Sequence, residues 1–468
     1  MIENRLNELI DGYSKDIISD TISLVQIPSI LDEPSAQKGA PFGQPVRAAL
    51  DRMTDIATRM DFSCTDDDGY CMTVEYGNKG ETIGILAHLD VVPVGEGWET
   101  DPFVPVINDD KLFGRGTVDD KGPAIAALYA LKAVRESGLP VRNRVTYILG
   151  CNEETGHQCI KHYLKTHEPP ACGFSPDGFF PVIHAEKGIL RFTMHKIISP
   201  DAGALILDYI HAGTVVNAVP DHAEAHISGE QGQLKLITDI ISKQGSTAIS
   251  VKPDETGITI IAFGKGAHAM SPWKGENAVQ KLVECLATIP LLSQEVHDTI
   301  DALHDLLGKD WTGSGMGIAA QDQLSGNLSF NPGILDYEKN DGNIVCKIDV
   351  RCPVHVNLEF VWETIANRCK RAGFEAEYWQ MRPPLYISKD DPLVTDLMQI
   401  YNIMMGTNIS PITIGGGTYC RDVRNFVSFG PVFPGEPEMA HQSNEFISIE
   451  DLILSAKLYA QALYQLMK

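Results

Sequence analysis

Paired cysteines are missing from this 468-residue chain: Cys64, Cys71, Cys151, Cys159, Cys172, Cys285, Cys346, Cys352, Cys369 and Cys420 show no CxxC spacing. That excludes a zinc knuckle and a dithiol redox motif, and it leaves reduced, mostly buried thiols as the expectation. Long apolar runs are missing too. No stretch approaches the roughly 18 to 20 residues that cross a bilayer. The opening Met1-Ile2-Glu3-Asn4-Arg5-Leu6-Asn7-Glu8 has no basic segment followed by an apolar one, so the expected compartment is the cytoplasm. Positive charge is scarce, with 38 Lys and Arg against 62 Asp and Glu, a formal charge of -24. Such a chain repels phosphate backbones and anionic lipid, which argues against nucleic acid and membranes as partners. Repeats, heptads and low-complexity tracts are absent, so nothing suggests a scaffold.

What is present is enough apolar material for a core, 43% of residues, in a chain longer than one core usually fills. Two domains are therefore expected. In residues 3–25, Leu6, Leu9, Ile10, Tyr13, Ile17 and Leu24 recur at helical spacing. Residues 83–87 and 145–149 read as strands, and between them Pro123 opens a helix over 124–136 that Gly138 closes. Strands alternating with helices indicate an α/β layer with a largely parallel sheet, whose carboxyl-end loops commonly hold ligands. From about Lys187 the texture becomes α+β: strands over 190–195, 257–263 and 344–350, and a helix over 276–289. After Pro383-Pro384 the α/β texture returns and ends in a helix from about Ile449, with Ser448 and Asp451 as a capping box. The simplest architecture interrupts the first domain with the second.

The chemistry-bearing residues sit at element ends. Ala87-His88-Leu89-Asp90 closes an apolar run. His88 alone could be a core histidine, but Asp90, two residues on, can share its face and accept the second ring N–H, as carboxylates do behind metal-bound histidines. Asp119 and Asp120, before Lys121-Gly122-Pro123, either cap the next helix or ligate. Glu153-Glu154 follow the 145–149 strand. On an extended backbone the two side chains diverge, one toward a metal and the other toward substrate as a base, with a solvated acidic turn as the plainer reading.

Together, His88-Leu89-Asp90, the block from Gly114 to Gly122, Glu153-Glu154, Ser175-Pro176-Asp177-Gly178 and His441 resemble, in order and spacing, the M20 family of metallopeptidases. Glu186-Lys187-Gly188, the long insertion and the segment from Gly415 to Arg421 are most similar to bacterial PepV-type dipeptidases, and the resemblance runs essentially end to end. It implies a zinc-peptidase-like catalytic domain from 1–186 and 383–468, with 187–382 as an inserted lid domain. It further implies two divalent ions bridged by Asp119, one completed by His88 and Asp177 and the other by Glu154 and His441. Glu153 would be the general base, with the Asp119–Asp120 peptide cis. An all-imidazole and carboxylate donor set suits zinc, and also manganese or cobalt.

The same resemblance makes His268, within Gly266-Ala267-His268-Ala269-Met270, a catalytic residue that stabilises the tetrahedral intermediate. It makes Asn217, Arg351, Gly415 and Gly416 substrate-binding residues. Arg351 would clamp a substrate carboxylate bidentately, and the glycines would bring backbone amides close to it. A dipeptide fits those requirements, and one chain supplying its own His268 fits a monomer. Two alternatives remain: an amidohydrolase of N-acyl amino acids, and an inactive peptide-binding homologue.

Overall fold

The computed structural model describes residues 2–199, 204–289 and 293–468, and the chain divides into two compact units. The first runs through Ala185 and resumes over Tyr386–Thr413 and Gly417–Lys468. The second comprises Glu186–Leu385 with the short segment Ile414–Gly416. Among the described residues no helix is long and apolar enough to cross a membrane.

The first unit is an α/β structure built on a nine-stranded mixed sheet. At its centre Arg144–Gly150, Thr82–His88, Cys172–Ser175 and Phe426–Ser428 lie side by side and parallel. Ser63–Asp67 and Cys71–Tyr76 extend one edge antiparallel. Thr82–His88 is buried along nearly its whole length, which is why it reads as a continuous apolar run rather than an alternating one. Packing here requires glycine at one point. A Cβ on Gly84 would stand 2.2 Å from the Phe426 ring, so the bare backbone lets that ring cover the sheet.

The expected 124–136 helix begins slightly earlier, at Lys121, and runs to Ser137 with Gly138 left-handed beyond it. Gly122 permits the early start, since a Cβ there would meet the Thr117 carbonyl at 2.1 Å. This helix packs against Asn4–Val25 and Ile449–Met467. The last of these is capped as the sequence indicates, with the Asp451 N–H donating to Ser448 Oγ at 2.9 Å. Parallel register aligns His88 with Gly150 at the carboxyl ends of neighbouring strands. The loops after His88, Gly150 and Ser175 therefore leave the same edge of the sheet, which brings together residues distant in sequence.

The second unit is an antiparallel eight-stranded sheet, ordered Ile249–Pro253, Gly257–Phe263, His222–Gly229, Leu205–Ala212, Ser329–Glu338, Asn343–Cys352, Gly188–Ile197 and Glu375–Arg382. Inward residues of Asn343–Cys352 and Gly188–Ile197, among them Ile344, Ile348, Leu190 and Phe192, form its core with the helices Ala278–Ala287, Gln294–Leu307 and Leu358–Arg371.

Candidate metal centre and active site

His88, the last residue of its strand, is 1% exposed and held on three sides. Its N–H donates to Asp120 Oδ2 at 3.1 Å, Nδ1 faces the Asp90 backbone carbonyl at 2.9 Å, and Nε2 lies 3.0 Å from Asp119 Oδ1. Asp177 Oδ2 is 3.9 Å from the same Nε2. Asp90 corrects one expectation. Nδ1 meets the Asp90 carbonyl rather than its carboxylate, which stays 3.6 Å from Nδ1 and accepts the N–H groups of Glu153 at 3.0 Å and Glu154 at 3.1 Å. It braces the glutamate pair, while its carbonyl braces the histidine.

Asp119 is joined to Asp120 by a cis peptide bond. Its Oδ1 faces His88, and its Oδ2 lies 3.1 Å from His441 Nε2. His441, with a left-handed backbone at φ 65°, also stands 3.1 Å from Glu154 Oε2. Glu153 and Glu154 sit in a turn rather than on extended backbone, yet their side chains still diverge. Glu154 goes to His441, and Glu153 Oε1 goes to His157 Nε2 at 3.1 Å. One candidate ligand group is thus His88, Asp119 and Glu154, and a second is His88, Glu153 and Asp177, with ligand atoms within 4.8 Å of one another in each.

Two supports escaped the sequence reading. Glu445, wholly buried, accepts the N–H groups of Gly116 and Val118 at 3.0 Å each with Oε1, while its Oε2 takes Arg115 Nη1 at 2.7 Å. The loop that carries Asp119 is wound around this one carboxylate. The other support is His157, whose Nδ1 pairs with Asp422. Its place four residues after Glu153 was the only available signal, and it lies within a turn where a histidine is unremarked.

The electrostatics are those of crowded acids. Burial and the Asp119 charge push Glu154 up to about 7, and the same two causes push Asp177 well above the carboxylate range. Burial works against charge on His88, but Asp119 and Asp90 outweigh it and raise its pKa well above the usual imidazole value. For His441 burial is likewise outweighed, by Asp119 and Glu154, to about 12. Two acids go the other way: burial raises both, but His441 and His88 hold Asp119 well below the usual carboxylate range, and the neighbouring His157 charge keeps Glu153 below the ordinary glutamate value.

The donor set fits divalent ions. Ligands about 2.1 Å from a tetrahedral ion stand about 3.4 Å apart, and His88 Nε2 is 3.0 and 3.9 Å from its two carboxylate neighbours. Acids raised this far lack positive charge, which divalent cations supply.

The remaining expected residues gather in the second unit. Ala218–Val219 pairs with Ala267–His268, opposing Ala218 and His268, and the Asn217 carbonyl accepts the Ala269 N–H at 2.9 Å. His268 is exposed, its Nδ1 accepting the Met270 N–H at 3.0 Å. A Cβ on Gly415 would stand 2.8 Å from the Met270 Cβ, and Gly416 lies over the Met270 sulfur. Arg351 departs from expectation. It is 3% exposed, and its Nε and Nη2 already fork onto Asp349 at 2.5 and 3.0 Å. Its Nη1 donates to the Gly415 carbonyl at 3.0 Å. Three of its five N–H groups are thus engaged within the unit, and through the last of them Arg351 shapes the glycine segment.

The model of peptidase family M20/M25/M40 matches residues 84–465. The Bacillus subtilis (strain 168) protein named putative dipeptidase YtjP is 37% identical over 463 residues, covering 97% of this chain and 98% of its own. Among solved structures, human carnosine dipeptidase 1 superposes with a TM-score of 0.59 at 16% identity, covering 99% of this chain and 98% of its own. The Saccharomyces cerevisiae di-peptidase Dug1p gives 0.58 at 14%, with the same coverage.

Proposed function

The chain belongs to peptidase family M20/M25/M40 and is a peptide-bond hydrolase, and from that premise we propose that it is a dinuclear metal-dependent dipeptidase acting on unblocked dipeptides. The observation that carries the reading is Asp119, whose two carboxylate oxygens face two different histidines, His88 and His441. In this reading Asp119 would hold both ions, with His88 and Asp177 as further ligands for one and Glu154 and His441 for the other. Zinc suits these donors, and manganese or cobalt fits them too. Divalent ions there would supply Lewis acidity toward the scissile carbonyl and make water easier to deprotonate.

Glu153 does the proton work. Held ionised, it takes a proton from the attacking water and returns it to the departing amine. The second unit acts as a lid that brings substrate contacts. His268 donates to the oxygen that becomes negative as the carbonyl is attacked, and Asn217 orients the same group. Backbone N–H groups of Gly415 and Gly416, in the segment braced by Arg351, receive the substrate carboxylate. A chain that carries its own His268 works as a monomer, and ten free thiols favour a reducing, cytoplasmic setting.

The test strips the protein with chelator and adds back zinc, manganese or cobalt singly. Turnover of a dipeptide is then set against the matching N-acetyl amino acid. Metal-restored cleavage of the dipeptide alone is expected. Preference for the acetylated compound would instead make it an amidohydrolase, and cleavage of neither would make it an inactive homologue.

A further inference from the structure

We infer that His157, clamped between Asp422 and Glu153, is a positioning residue that fixes the Glu153 carboxylate in its working orientation; the inference rests on the reading of Glu153 as the general base. Glu153 has two independent restraints. Its backbone N–H is pinned by Asp90 at 3.0 Å, which sets where the side chain starts. That leaves the rotatable bonds of the glutamate side chain free to sweep the carboxylate over several ångströms. The contact between Glu153 Oε1 and His157 Nε2, 3.1 Å, is the restraint on the far end.

His157 is in turn over-determined. Its Nδ1 is tied to Asp422, in the short helical turn Tyr419–Asp422, and its ring stands edge-on to Tyr419 with centroids 5.0 Å apart. The same Tyr419 ring stands edge-on to His88 at 6.2 Å, so one buried aromatic side chain references both imidazoles. The His157 backbone is left-handed at φ 60°, where a non-glycine residue stays only if its surroundings hold it. They do: its N–H donates to the Asn152 carbonyl at 2.8 Å, and Asn152 Oδ1 takes the next N–H, from Gln158, at 2.9 Å.

A direct role on an ion is disfavoured by direction. The two ring nitrogens point opposite ways, each at a carboxylate, and His157 belongs to neither ligand group among the described residues. Simple helix capping is disfavoured as well, since its side chain makes no cap hydrogen bond to the helix Gln158–Thr166.

The variants are His157→Ala, His157→Gln, whose amide can still donate to Glu153, and Asp422→Asn, which preserves shape. Crystal structures and dipeptide kinetics with metal analysis are read together. In His157→Ala the Glu153 carboxylate is expected to leave its rotamer while His88, Asp119, Glu154 and Asp177 stay in place. The kcat is expected to fall about 30-fold with KM within about twofold and metal content unchanged. His157→Gln should recover most of that loss, and Asp422→Asn should fall between. An unmoved Glu153 carboxylate, an unchanged kcat, or a kcat loss that tracks lost metal would each overturn the inference. If the wild-type protein cleaves no dipeptide, the functional reading fails on its own, and the Glu153 rotamer still decides this one.

Discussion

The two constellations differ in how their side chains are held. In the first unit Glu153, Glu154 and Asp119 each have a buried partner behind them, Asp90 under the glutamate pair, Glu445 inside the Asp119 loop and His157 against Glu153, while His441 alone among the site residues there is exposed. In the second unit the exposed His268 ends a two-residue strand, half-buried Asn217 sits in the turn before its partner strand, and of these residues only Arg351 is locked in the interior. Groups that handle protons and ions tolerate little displacement, since misplacement of about 1 Å can cost 100-fold in rate. Groups that receive a substrate can be ordered as it arrives.

Substitutions can break or sharpen that contrast. The largest effect is expected for Glu153→Ala, with kcat lower by about a thousandfold and KM little changed. Unchanged metal-dependent turnover would remove the base from the rigid side of the comparison. Next comes Glu445→Ala, which strands the buried Arg115 charge and unpairs the amides of Gly116 and Val118. A loss of about 3 to 5 kcal/mol in urea denaturation is expected, with metal affinity falling alongside. Arg351→Lys should be milder. It loses the fork on Asp349 and the brace on Gly415, so KM for a dipeptide should rise roughly tenfold with metal content intact. A kcat loss instead would place Arg351 with the chemistry.

The smallest effect concerns protons. In the metal-free protein the acids raise His88 and His441, the latter to about 12, so both imidazoles hold protons at pH 7. Ions must displace those protons. Metal uptake should therefore release protons from His88, His441 and the raised Asp177, and affinity should weaken as pH falls, with Glu154 joining as it titrates near 7. Calorimetry in buffers of different ionisation heat measures the release, and uptake without it would mean that the acids do not charge the histidines.

What could be read in the chain follows the range of the forces involved. Thr82–His88 and Arg144–Gly150 are buried on both faces, and their apolar runs show it. The strand His222–Gly229 was not legible: its core-facing residues are Ala223, Ala225 and Ile227, two of them too small to mark an apolar alternation, and His226 on the opposite face pairs with Asp208 at 2.9 Å and Asp254 at 3.0 Å. Edge strand Glu375–Arg382 is too exposed to carry an apolar pattern at all. In the site, residues beside strand ends were readable because the local pattern marks where a strand meets solvent. Glu445 and Arg115, 330 residues apart, were not, since nothing local announces that they meet. Arg351 shows the same limit: its position reveals an arginine near a strand end, but not that Asp349, two residues earlier, accepts two of its N–H groups.

The proposal that Asp119 holds both ions is tested most directly by counting them. Equilibrium dialysis followed by elemental analysis should find two divalent ions per wild-type chain and fewer than one in Asp119→Ala, since both His88 and His441 face that one side chain. A variant that keeps both ions, or a wild-type chain that binds only one, would contradict a centre built on Asp119.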